Sequence, residues 1–211
     1  LEVDNYYGFE IDGNRRFLLG DFTVTHNTVC QSALLSRTIK SSPGFSIYVV
    51  NAPRIILTYQ LMLECYKYLV SESIEVKYMF VHSGGSVDIR DLEKIRENSD
   101  IPYSDIRSGT TKDSILETIE KGIELDVPVI LFSTYHSCKR ISKAIENKYD
   151  ISIILNDEAH YLVQEQFHKI FTEVESKKWY FFTATMINTP SDKGRGMNNN
   201  SLYGNILYSM T

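Results

Sequence analysis

Short apolar runs alternate with helix-patterned stretches along most of this chain, and that alternation admits few folds. Phe45 to Val50, Val76 to Val81, Val127-Pro128-Val129-Ile130-Leu131-Phe132, Ile151-Ser152-Ile153-Ile154-Leu155 and Trp179-Tyr180-Phe181-Phe182 are each about strand length. Between them, residues 28–40, 55–70, 113–124 and about 137–147 can be helical, and another helix is expected before Trp179. The first of these lacks Gly and Pro, carries Val29, Ala33, Leu34 and Leu35 as an apolar side, and is stopped by Ser41-Ser42-Pro43-Gly44. Strands apolar along their whole length belong to a sheet covered on both faces. An α/β fold with a parallel sheet flanked by helices is therefore expected. Ligands in such sheets sit beyond the carboxyl ends of the strands. Residues 84–111 are polar and irregular and read as a long surface excursion.

Charge and cysteine content narrow the classes. Five acids against Arg15 and Arg16 give residues 1–27 a charge of −3, and 22 acids against 20 bases give residues 28–211 a charge of −2. A body so close to neutral has no bulk basic surface, so any grip on nucleic acid must be local. Cys30, Cys65 and Cys138 form no CxxC pair or even-numbered framework and read as buried or idle thiols of a reducing compartment, cytoplasmic or nuclear. No apolar run is long enough to span a membrane, and no secretory signal is seen. The start at Leu1 rather than Met reads as a fragment of a longer chain.

The main chemical signal is Asn156-Asp157-Glu158-Ala159-His160, directly after an apolar strand. A carboxylate at a strand tip can hold a hydrated Mg²⁺ beside bound phosphates, and its neighbour can orient and deprotonate the attacking water. Comparable strand-end positions carry Pro53-Arg54, Ser133-Thr134-Tyr135-His136-Ser137 and Thr183-Ala184-Thr185. With these motifs, residues 28–211 resemble the superfamily 2 helicases and translocases of the DEAH/type III restriction class. Gly194-Arg195-Gly196-Met197-Asn198-Asn199, with Leu202-Tyr203-Gly204, is similar to the helicases of large DNA viruses, which would make the chain virus-encoded.

The resemblance implies a RecA-like P-loop domain that uses ATP and Mg²⁺ and acts on nucleic acid, DNA in preference to RNA. It implies Asp157 as the metal-coordinating acid and Glu158 as the catalytic base. His160 would couple them to the Thr183 and Thr185 hydroxyls, and Pro53, Arg54, Thr134 and Ser137 would meet the sugar-phosphate backbone. Hydroxyls and N–H groups at a helix start suit phosphate. The Lys139, Arg140 and Lys143 cluster that follows is read equally well as a phosphate contact or a solvated face. His82, His136 and His168 have no ligand spacing and read as surface or core residues, and Trp179 as core.

A phosphate-gripping domain also needs G-x-x-x-x-G-K-[ST] ahead of its first helix, and residues 1–27 do not supply it. Thr28 stands where the last Ser/Thr of that motif belongs. The segment from Asn5-Tyr6-Tyr7-Gly8-Phe9-Glu10 to Val24-Thr25-His26-Asn27 resembles the final motif blocks of an intein, with a β-hairpin of the Hint-type fold. This divides the chain into 1–27, an intein C-terminal segment, and 28–211, a first RecA-like domain. The resemblance implies that Thr28 Oγ accepts the upstream acyl chain, that Asn27 cyclises and releases the intein, and that His26 assists. Arg15 stands where many inteins have a further histidine. An ordinary N-terminal hairpin is the plain alternative for this segment.

The expected activity is an ATP- and Mg²⁺-dependent DNA helicase or translocase whose partners are an upstream phosphate-loop segment and a second RecA-like domain, with no membrane. The chain alone, lacking that loop and any arginine finger, is expected to hydrolyse ATP negligibly. A translocase without strand separation and a precursor fragment whose only chemistry is splicing are the alternatives.

Overall fold

The structure is a computed structural model that describes residues 17–18, 24–25, 27–82, 106–109, 111–146, 148–190 and 194–205. β1 (Phe17–Leu18) and β2 (Val24–Thr25) pair as a two-residue antiparallel ladder. The hairpin arm expected at Tyr6–Ile11 lies outside the described residues.

From α1 (Asn27–Ser41) onward the alternation read from the sequence holds. The elements are β3 (Ile47–Ala52), α2 (Ile55–Ser71), β4 (Lys77–Val81), β5 (Ile106–Gly109), α3 (Lys112–Glu124), β6 (Val129–Thr134), α4 (Tyr135–Ile145), β7 (Ile151–Asn156) and β8 (Trp179–Phe181). The six strands β3 to β8 form one sheet in the order β5-β4-β6-β3-β7-β8, and every neighbouring pair is parallel. All residues of β3 and β6 are buried, which is why these runs are apolar throughout.

Successive strand residues point to opposite faces, so each strand feeds two cores. Tyr48, Val50, Phe80, Phe132 and Leu155 meet Leu35 and Ile39 of α1 and Tyr59, Met62 and Leu69 of α2. On the other face Ile47, Val49, Val81, Leu131 and Ile154 meet Ile115 and Ile119 of α3 and Cys138 and Ile141 of α4. A register shift against β7 between Ile47 and Tyr48 leaves Ser152 as an extra residue. This bulge explains why Ile151 and Ile154, three apart, share a face. At Gly122 a side chain would run into Val129 Cγ2, so glycine lets α3 close against β6.

Three expectations need correction. Residues 106–109 are an edge strand rather than part of an irregular excursion. Their polar sequence reflects that edge, where a strand pairs on one side only; residues 83–105 and 110 lie outside the described residues. The single helix expected before Trp179 is a 3₁₀ turn (Ala159–Val163) and two one-turn helices, α5 (Glu165–His168) and α6 (Ile170–Glu173). The fourth main helix starts at Tyr135, two residues early, because Thr134 is its N-cap.

Candidate nucleotide-hydrolysis site

The carboxyl ends of β3, β6, β7 and β8 converge on the predicted motifs. A buried polar row runs across them. Ser133 Oγ donates to Asn51 Oδ1 at 2.6 Å, Asn51 Nδ2 donates to Asn156 Oδ1 at 3.1 Å, and Asn156 Nδ2 donates to the Tyr180 carbonyl at 3.3 Å. All three side-chain members are fully buried. Groups that deep are costly unless bonded, and here each finds a partner in the adjacent strand. The row fixes the relative height of the strand tips just behind the acid pair. Main-chain bonds extend the tie: Asp157 N–H donates to the Asn51 carbonyl and Ala159 N–H to the Phe182 carbonyl, each at 2.8 Å.

Asp157 meets the start of α1. Gln31 Nε2 donates to Asp157 Oδ1 at 2.8 Å, and Gln31 is 1% exposed. Thr28 lies three residues earlier and therefore on the same helical face; it is 2% exposed and its carbonyl accepts from Ser32 Oγ at 2.9 Å. The Gln31 side-chain oxygen is buried without a hydrogen-bond partner among the described residues. Burial, and then the charge of Glu158, push the Asp157 carboxyl up to about 7, against the hydrogen bonds from Gln31 and the Glu158 backbone.

Glu158 departs from ordinary backbone geometry, at φ 51° and ψ 47°, a left-handed conformation that residues with a Cβ seldom adopt. Its Oε2 lies 3.2 Å from His160 Nδ1, which is also 2.9 Å from Thr183 Oγ1. The Thr183 hydroxyl gives its own proton to the Thr185 carbonyl at 2.9 Å and accepts from Thr185 N–H at 3.1 Å. A hydroxyl has one proton, so the bond to His160 must use the histidine's. His160 thus carries hydrogen on Nδ1 and gives it to Thr183, with the Glu158 carboxylate 3.2 Å away. Thr185 enters this network through its carbonyl and N–H.

The other expected site residues sit around the same rim. Pro53 is buried, while Arg54 is exposed and is the N-cap of α2, its carbonyl accepting from Thr58 N–H and Thr58 Oγ1, both at 2.9 Å. Thr134 and Ser137 are 6% and 1% exposed, because Thr134 Oγ1 accepts from Ser137 N–H at 3.3 Å and donates to Ser137 Oγ at 3.1 Å. His136, Lys139 and Arg140 are exposed beside them. His26 and the Asn27 side chain lie outside the described residues. Of the cysteines, Cys65 and Cys138 are buried and pushed up to about 12 by burial, whereas Cys30 is exposed. Sequence reasoning missed Gln31, Asn51 and Asn156. A polar residue inside an apolar strand or helix face was the available signal for all three.

The chemistry of this donor set suits Mg²⁺ and a nucleotide phosphate. Mg²⁺ is ordinarily bound through one or two carboxylates together with substrate phosphates. Asp157 supplies a buried carboxylate on which the charges acting are negative, so a divalent cation there removes an electrostatic penalty. Gln31, in the second turn of α1, is the contact between that helix and this carboxylate.

An all-parallel sheet with an acid pair at a central strand tip, opposed by the start of a helix, defines a RecA-like ATPase domain of the helicase type. The chain belongs to the type III restriction enzyme res subunit family, whose model matches residues 27–188. Members of this helicase-like family are nucleotide hydrolases in general and use ATP with Mg²⁺. Two solved structures share the fold. A nuclease-deletion mutant of the type ISP restriction-modification enzyme LlaGI, in complex with a DNA substrate mimic, aligns over 87% of this chain with 23% identity and a TM-score of 0.67. The ATP-dependent type ISP enzyme LlaBIII, bound to DNA, aligns over 87% with 20% identity and a TM-score of 0.63. This chain spans only 14% and 13% of their lengths. No curated protein matches the chain. Among the described residues, no helix is long and apolar enough to cross a membrane.

Proposed function

We propose that residues 28–211 are the first motor domain of an ATP- and Mg²⁺-dependent DNA helicase or translocase, interrupted in its phosphate loop by an intein that leaves at Asn27–Thr28. The observation that carries the motor reading is the contact between Gln31 of α1 and Asp157, the residue after β7. It brings the helix start where a phosphate loop would end against the acid that would share its metal. In this reading Thr28 and Asp157 hold Mg²⁺, which when bound screens the phosphates and aligns them for attack. Glu158 takes the proton of the attacking water, and His160 links it to Thr183 and Thr185 at the end of β8. Pro53, Arg54, Thr134 and Ser137 shape the rim toward the nucleic acid. With the Thr134 and Ser137 hydroxyls closed into the helix cap, direct phosphate contacts fall to the backbone and to exposed Lys139 and Arg140.

The splicing reading rests on the sequence of residues 5–28. Thr28 then serves twice, first as acceptor of the upstream acyl chain and later as the loop's hydroxyl ligand, with Asn27 cyclising and His26 assisting. Translocation without strand separation is the second reading, favoured by the type III restriction family to which the chain belongs. Expression with the upstream half, followed by mass spectrometry, tests splicing: a ligated product is expected, and Asn27→Ala stops intein release. An uncleaved Asn27–Thr28 bond with a wild-type upstream half refutes it. Strand displacement set beside DNA-dependent ATP turnover of the ligated protein separates the two motor readings, and no DNA-dependent turnover refutes both.

A further inference from the structure

A second side chain reaches the acid pair from the opposite side of the sheet. Tyr135, first residue of α4 and neighbour of Thr134, donates its hydroxyl hydrogen to the Asp157 carbonyl at 2.6 Å. Its ring is 4% exposed and packs on Phe167 with centroids 5.6 Å apart. Burial, then the Asp157 and Glu158 charges, raise this phenol well above its ordinary value, so it stays a donor.

The accepting carbonyl belongs to the peptide that joins Asp157 to Glu158. That peptide enters the left-handed turn at Glu158, a conformation that persists only where its surroundings hold it. Main-chain bonds hold the Asp157 N–H and the Ala159 N–H. The carbonyl between them is held by Tyr135. We propose that Tyr135 is a positioning residue that couples nucleic-acid contact at the start of α4 to the placement of Glu158. This rests on the motor reading above. When the turn at residues 134–137 shifts on its substrate, the phenol moves with it. The 157–158 peptide is then clamped or freed, and the Glu158 carboxylate is carried toward or away from His160 and the attacking water.

Tyr135→Phe removes one oxygen and keeps the ring on Phe167. In the ligated protein, DNA-stimulated kcat is expected to fall about fivefold, the factor that corresponds to one hydrogen bond. KM for ATP stays unchanged, because the Thr28 and Asp157 side chains are untouched, and basal turnover falls less than stimulated turnover. Amide exchange at Glu158 becomes faster while exchange across β3 and β6 does not, an asymmetry that general loss of stability would not give. Full DNA stimulation in Tyr135→Phe overturns the proposal alone. So does an equal loss of basal and stimulated turnover with unchanged exchange at Glu158. A wild-type protein that turns over ATP without response to DNA overturns the motor reading and this coupling with it.

Discussion

Replacing Asp157 with Asn stabilises this chain while abolishing its proposed metal site, by an amount the structure allows to be worked out. The native carboxyl titrates near 7 instead of 3.8, chiefly through burial and secondarily through Glu158. Below pH 3.8 both folded and unfolded chains hold the proton and the group is neutral in its effect. Between 3.8 and 7 the unfolded chain releases its proton and the folded chain keeps it, so stability falls as pH rises. Above 7 both are ionised and the penalty is constant. At about 1.4 kcal/mol per pH unit the full penalty is about 4 kcal/mol. The carboxylate keeps a partly exposed rim, and water there relaxes some of it, leaving a gain of about 2–4 kcal/mol for Asp157→Asn at pH 8. Asn retains an oxygen to accept from Gln31. Urea unfolding of both proteins from pH 4 to pH 8, without metal, reads the difference directly. It should be near zero at pH 4, grow up to pH 7 and then level off. A variant no more stable than wild type at pH 8, or a difference independent of pH, refutes the assignment of this penalty to the Asp157 carboxylate.

Three further outcomes follow from the same geometry. Glu158→Gln in the ligated protein should bind ATP normally and lose turnover by about 10²-fold or more, since only the base is removed; rapid turnover in this variant excludes Glu158 from that role. Gln31→Leu should weaken Mn²⁺ binding to the nucleotide-loaded ligated protein by about 10–100-fold, the usual effect of losing a group that orients a metal ligand, and unchanged affinity in an electron paramagnetic resonance titration removes Gln31 from the site. The ¹⁵N shifts of His160 should report hydrogen on Nδ1 at pH 8, and the Nε2–H tautomer would refute the hydrogen-bond order deduced through Thr183 and Thr185.

The reading of fold class from the sequence succeeded where burial is strong. Val129 to Phe132 and Ile153 to Leu155 are apolar because both their faces are covered, and such runs admit little but central parallel strands. Ile106–Gly109 was missed because an edge strand needs no such pattern. The acid pair was legible because adjacent carboxylates after an apolar strand are rare without a purpose. The supports of that pair were not. Gln31 is 126 residues from Asp157 and Tyr135 is 22 from it, and neither separation carries a local signal.

What the sequence determined by itself is thus the alternation of elements, the parallel sheet and the chemical identity of Asp157, Glu158 and His160, all set by patterns within a few residues. Only the tertiary structure decided which oxygen of each group is held, and by what. Strand order places β7 between β3 and β8, and so brings Asn51, Gln31, Tyr135 and Thr183 around one turn. The hydrogen bonds formed there depend on distances of about 3 Å between residues far apart in the chain, which no periodicity encodes. The left-handed Glu158 is the sharpest case, since its residue type argues against that conformation and its neighbours in space sustain it.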